Sequence, residues 1–155
     1  DEVRACGARL KLISDGDVAA ALSTSMEGTG VDILFGIGGS PEAVIAACAM
    51  KCLGGEIQCK LWPRNDGERE YARQVGYSLE KPLGNDDLVH SENVFFSVTG
   101  ITDGELVRGV HYVGGGATTD SLVMRSRSGT VRRVRATHRW EKLKAISDIK
   151  YGGTK

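Results

Sequence analysis

Proline is scarce in this 155-residue sequence, with only Pro41, Pro63 and Pro82. Disordered chains are rich in proline and polar residues and poor in apolar ones. Three prolines beside 41% hydrophobic residues therefore argue for a folded chain. No apolar run approaches the ~18 residues that a membrane-spanning helix needs, so no membrane is expected as a partner. No basic-then-apolar leader follows Asp1, and the expected location is cytoplasmic. None of the four cysteines, Cys6, Cys48, Cys52 and Cys59, forms a C-x-x-C pair, which leaves no zinc-ribbon spacing. Cys48 and Cys52 lie one helical turn apart in an apolar run. They read as small buried residues in a reducing compartment, with a metal or redox role as the alternative. Glycine is abundant instead: 21 residues, against about 11 at the average usage of roughly 7%. Without a G-x-y period this is not collagen, so the glycines belong to turns and close backbone approaches in a folded domain.

The length suits one domain, residues 1–155. Asp1–Arg9 reads as the tail of a helix with no start signal, the mark of a longer chain or of a cleavage product. Lys11–Ser14, Val31–Ile37, Glu56–Trp62 and Asn93–Thr99 read as strands. Val31–Ile37 (VDILFGI) has the look of one buried on both faces. Helices are expected at Val18–Met26 behind an Asp15 or Asp17 cap, at Pro41–Leu53 behind Ser40, at Asp66–Val75, at Glu105–Gly109 and at Trp140–Ile149. The alternation implies an α/β fold with a largely parallel sheet. Ser121–Arg127 and Thr130–Ala136 then flank Ser128-Gly129 as a C-terminal β-hairpin.

Charge balances only in sum. Residues 1–124 carry 10 Lys/Arg against 18 Asp/Glu, and residues 125–155 carry 10 against 2. Arg125, Arg127, Arg132, Arg133 and Arg135 sit on the hairpin without the interleaved aromatics that stack bases, so nucleic acid is not expected as a partner. A solvated face, pairing with the acidic part of the molecule, or contact with a substrate phosphate remain open.

Three constellations carry possible chemistry. Asp15-Gly16-Asp17 ends a strand, where α/β sheets bind ligands. Its carboxylates suit sugar hydroxyls or a divalent cation, or simply a turn and a helix cap. Gly36-Ile37-Gly38-Gly39-Ser40-Pro41-Glu42 begins like a dinucleotide fingerprint but has Pro41 where the third glycine belongs. Its exposed N–H groups at a helix start suit an anion. Glu42 in the first turn complements the helix dipole and would repel a bare phosphate unless a cation lies between. A cation-bridged phosphate site and a merely favourable first-turn glutamate both remain open. The third is Thr99-Gly100-Ile101-Thr102-Asp103-Gly104, a lining for the same crevice or a plain turn. His90, His111 and His138 are dispersed and form no Ser-His-Asp or Cys-His pattern.

These motifs, with Ala117-Thr118-Thr119 and Ser121-Leu122-Val123-Met124-Arg125-Ser126-Arg127-Ser128-Gly129-Thr130-Val131-Arg132, resemble class II fructose-1,6-bisphosphatases over nearly the whole chain. The resemblance implies the layered α/β/α fold of the sugar-phosphatase superfamily. It implies hydrolysis of the 1-phosphate of fructose 1,6-bisphosphate to fructose 6-phosphate in gluconeogenesis. It also implies a divalent cofactor, Mn²⁺ or Mg²⁺. Asp15, Gly16, Asp17 and Gly39 would contact the sugar phosphate, and Glu42 would be a metal ligand. Family members are about twice as long, so the chain is expected to be the C-terminal half. Catalytic residues and most metal carboxylates would lie in an N-terminal half, its expected partner, within a homo-oligomer. Asp15 and Glu42 alone cannot build a two-metal site. The alternatives are a bifunctional enzyme that also accepts sedoheptulose 1,7-bisphosphate, a non-catalytic sugar-phosphate-binding fragment, and a nucleotide-binding domain.

Overall fold

The computed structural model describes residues 1–147. It runs through helices α1 (Glu2–Ala5), α2 (Asp17–Ser23), α3 (Ser40–Leu53), α4 (Asp66–Gln74) and α5 (Asn85–Leu88). Strands β1 (Phe95–Thr99), β2 (His111–Val113), β3 (Gly116–Arg125) and β4 (Thr130–Arg139) follow, then helix α6 (Trp140–Ile146). The architecture is mixed α/β. Residues 148 and 149 of the expected last helix lie outside the described residues.

The sheet is antiparallel at every pairing, not largely parallel as the alternation implied. β3 is its spine, with β4 along one side and β1 and β2 sharing the other. Short links dictate this sense, because a parallel pair needs a long crossover. β3 reaches β4 through the single 3₁₀ turn Ser126–Ser128, closed by Gly129 at φ 58°. β2 reaches β3 through Gly114 and Gly115, the latter at φ 79°. The expected strands Lys11–Ser14, Val31–Ile37 and Glu56–Trp62 do not join this sheet. Cys59 makes one isolated antiparallel bridge with Leu83, and the other two runs have no bridge among the described residues. These runs are strand-like in composition, but the strands they would need as neighbours are not found among the described residues.

α3 forms where the sequence marks it, from Ala-rich composition, Pro41 in its first turn and a left-handed Gly54 (φ 75°) at its end. Its N-cap is Gly39, and Ser40 is already helical. α2 is capped by left-handed Gly16 (φ 80°) and not by an aspartate side chain. It stops at Ser23 because hydroxyls claim the carbonyls of its last turns. Ser23 Oγ donates to Ala19 O at 3.0 Å, Thr24 Oγ1 to Ala21 O at 2.8 Å, and Thr29 Oγ1 to Ser23 O at 2.5 Å. The short elements α5 and β2 lie outside the expected set.

The core lies between α3 and one face of β1 and β3. Ala49, Met50 and Cys52 pack with Phe96, Leu122 and Met124, joined by Leu22, Val94, Leu106 and Val107. Phe96 faces Met124 and Val98 faces Leu122 across the β1–β3 ladder, so the period-two alternation puts one apolar row on the helix. Burial pushes the Cys52 thiol above its ordinary pKa. All four cysteines are free. No described helix is long and apolar enough to cross a membrane.

Lys51 pins the end of α3. Its side chain is 7% exposed, with Nζ 2.7 Å from Asp86 and 2.8 Å from Glu92, and it donates to Ser91 O at 3.2 Å. The hydrogen bonds to Asp86 and Glu92 raise its pKa above the ordinary 10.5.

Leu122→Ala should cost about 2–5 kcal/mol in urea unfolding, whereas Ile33→Ala, at an exposed site, should stay within about 0.5 kcal/mol. A raised ammonium pKa stabilises fully below the unfolded value and loses that contribution as pH rises through the folded one. The advantage of the parent chain over Lys51→Met should therefore hold from pH 7 to about 10.5 and shrink above it, measured as a difference in melting temperature.

Candidate functional site

Packing of α2 on α3 brings two of the three glycine motifs together. Gly16 in the left-handed region turns the chain into α2, so Asp17 opens that helix beside the loop that starts α3. A Cβ on Gly38 would lie 3.3 Å from Asp17 Oδ2, and one on Gly39 would collide with the Glu42 carboxylate. The Glu42 side chain is folded back over the N-terminus of α3, onto Gly39. Asp17, Gly39 and Glu42 thus share one exposed corner. Asp15 stands apart, and among the described residues its carboxylate accepts only from Ser14 Oγ, at 3.4 Å.

The third motif is linked through an ion pair. Lys11 Nζ lies 2.5 Å from Glu105 Oε1, tying the segment before Asp15 to the loop after β1. The expected Glu105–Gly109 helix is absent because side chains take its backbone groups. Arg108 N–H donates to Asp120 Oδ2 at 3.1 Å, Gly109 N–H to Asp103 Oδ1 at 2.9 Å, and Arg133 Nη2 donates to Leu106 O at 2.7 Å. Asp120 is 7% exposed and lies 3.8 Å from Arg133 Nη1. The Gly109 amide, and then His111 at 3.0 Å, hold the Asp103 carboxyl below its usual range.

The motifs place Asp103 in a turn and leave His111 isolated, with no hint that the two meet. Asp120 carries no motif at all. The expected strand Ser121–Arg127 begins just after it, and only the longer β3 (Gly116–Arg125) takes it into the sheet, where a buried aspartate needs a partner. Among the described residues, one arginine of the basic hairpin meets a carboxylate and another meets neutral groups. Arg133 meets Asp120, and Arg125 donates to Asn93 Oδ1 at 2.9 Å with its guanidinium 4.7 Å from the Phe95 ring centre. Arg127, Arg132 and Arg135 make no ion pair among the described residues.

The corner is anionic, with Asp17 and Glu42 both exposed. A phosphate would reach the N–H groups at the start of α3 only if a cation offset these charges. The residues present do not make a metal centre by themselves. Divalent cations such as Mg²⁺ take about six oxygen ligands, and no three His, Cys, Asp or Glu side chains converge among the described residues.

Comparison with known proteins identifies the lineage. The family described as "Bacterial fructose-1,6-bisphosphatase, glpX-encoded" matches residues 1–138. The D-fructose 1,6-bisphosphatase class 2/sedoheptulose 1,7-bisphosphatase of Synechococcus sp. (strain JA-3-3Ab) is 42% identical over 150 residues, covering 88% of this chain and 43% of the relative. Fructose-1,6-bisphosphatase 1 class 2 of Escherichia coli (strain K12) is 40% identical over 150 residues, covering 88% and 45%. The matched region is the C-terminal part of these relatives, and the chain spans less than half their length. With most of its length matched, the chain belongs to the glpX-encoded bacterial fructose-1,6-bisphosphatase family.

Proposed function

We propose that this chain supplies the sugar-phosphate contacts and one metal-ligating carboxylate of a cytoplasmic fructose-1,6-bisphosphatase, which hydrolyses the 1-phosphate to give fructose 6-phosphate. The observation that carries this is the corner where Asp17, Gly38, Gly39 and Glu42 converge at the start of α3. Gly39 lets substrate approach the backbone, and N–H groups there meet phosphate oxygens. Asp15 and Asp17 accept hydrogen bonds from sugar hydroxyls, with Gly16 setting the turn that separates them. This is a positioning contribution. Glu42 is one ligand to Mn²⁺ or Mg²⁺, whose charge lets carboxylate and phosphate share the helix end. The remaining ligands and the group that activates water belong to the N-terminal half of the enzyme, within a homo-oligomer. The name of the Synechococcus relative makes sedoheptulose 1,7-bisphosphate the second substrate to assay.

With the N-terminal part of the Escherichia coli relative added and Mn²⁺ present, phosphate release from fructose 1,6-bisphosphate should appear. Neither part alone should release it. Glu42→Ala should then lower kcat by about 100-fold or more, the scale for losing one electrostatic group at a reacting centre, and normal turnover would remove the metal-ligand role. Gly39→Ala, which displaces Glu42, should weaken Mn²⁺ activation by roughly 10-fold or more. Calorimetry of the chain with fructose 6-phosphate separates the non-catalytic reading, which requires binding without the second part.

A further inference from the structure

The run Val31–Ile37 is the least expected surface of the molecule. Its sequence, VDILFGI, is that of a strand buried on both faces, yet Ile33, Phe35 and Ile37 are 64%, 77% and 76% exposed. Leu34, whose neighbours in sequence alternate with it, is exposed as well. Val31 N–H donates to Thr29 Oγ1 at 3.5 Å. From Asp32 to Gly38 no backbone hydrogen bond is made among the described residues. An apolar strand former with open backbone groups is a template for strand addition. Such surface is rarely left bare in a chain that functions alone.

Two further observations say what covers it. The chain exposes 11851 Å², whereas a folded monomer of 16.6 kDa exposes about 7,600 Å². The excess of about 4,000 Å², counted on one side, is several times the roughly 800 Å² per partner of a standard interface. The curated relatives continue for more than half their length outside the matched region. Exposed Leu12 and Trp62 lie on the two other strand-like runs that stay outside the sheet, so the bare surface is not confined to one loop.

We infer that Val31–Ile37 is a docking strand, paired in the active enzyme by an apolar strand of the family's N-terminal part. The pairing satisfies the backbone groups of Asp32–Ile37 and covers Ile33, Phe35 and Ile37. Because Gly38 and Gly39 follow directly, it also holds the loop beside Asp17 and Glu42 against the site. This deepens the proposed function, resting on it for the partner's identity, but makes its own demand on which residues are buried.

Hydrogen–deuterium exchange tests it on the 155-residue chain alone and with the N-terminal part of the Escherichia coli relative, while phosphate release is followed in parallel. Peptides covering 32–37 should exchange within seconds in the chain alone at any concentration. They should slow by at least ~100-fold in the complex. Ile33→Asp with Phe35→Asp should weaken the complex at least ~10-fold and leave protection of the Leu122–Met124 core unchanged, since both positions are exposed. Fast exchange at 32–37 in a formed complex overturns the inference. So does slow exchange in the chain alone, which would mean pairing within the chain, or protection that rises with its own concentration, which would mean a second copy. If the separate part is insoluble or does not bind, the same peptides are followed in one polypeptide joining it to this sequence. Slow exchange there supports the docking strand, and fast exchange overturns it. Phosphate release without protection sinks the docking strand alone. Protection without phosphate release sinks the proposed activity alone.

Discussion

The buried core of this molecule leans on one contact, the seating of α3 on the β1–β3 face. Met50 and the small side chains Ala49 and Cys52 let the helix lie close to Phe96, Leu122 and Met124. Small residues bury little area each, but they bring backbone and sheet within reach of dense packing, where loss of a few methylenes is felt. The same helix carries Glu42 at one end and Lys51 at the other. Its placement therefore sets the candidate site and, through Asp86 and Glu92, the approach of the chain to β1. A shift of α3 along the sheet would move both ends together.

Local signals in the sequence are legible where local physics decides. Pro41 and Gly54 bracket α3, and Gly129 marks the β3–β4 turn. Strand partnership is not legible, because a run such as VDILFGI states that it wants burial and does not name its neighbour. A parallel sheet follows from element order alone, and the observed sheet answers instead to the short connections between β2, β3 and β4. At the site, motif and resemblance single out Asp17, Gly39 and Glu42, and the α2–α3 contact explains why they meet. The Asp103–His111 and Asp120–Arg133 pairs escape a sequence reading because neither partner is near the other in the chain.

The charge asymmetry of the sequence has a structural counterpart of limited extent. Arg133 is held by an aspartate and a carbonyl, so it fastens the loop after β1 to β4. Other arginines of β4 face outward along an edge strand. Charged side chains on such an edge discourage unwanted pairing with other chains. The edge of the sheet is guarded in this way, whereas Val31–Ile37 carries no charge after Asp32. One strand-forming surface is closed to partners and the other is open.

The β3–β4 hairpin also bears on the order of events in folding. Its two ten-residue strands are joined by a single tight turn, so closing it costs little chain entropy and takes microseconds. β1 must instead close the whole segment from Gly100 to Asp120, and α3 must reach further still. The hairpin is the natural first template, with β1 and α3 assembling on it afterwards. Yet it lies near the C-terminal end of the described residues, and a ribosome delivers it after α3, β1 and the unpaired apolar runs. During synthesis these earlier segments wait without the surface that organises them, and the interval exposes them to aggregation.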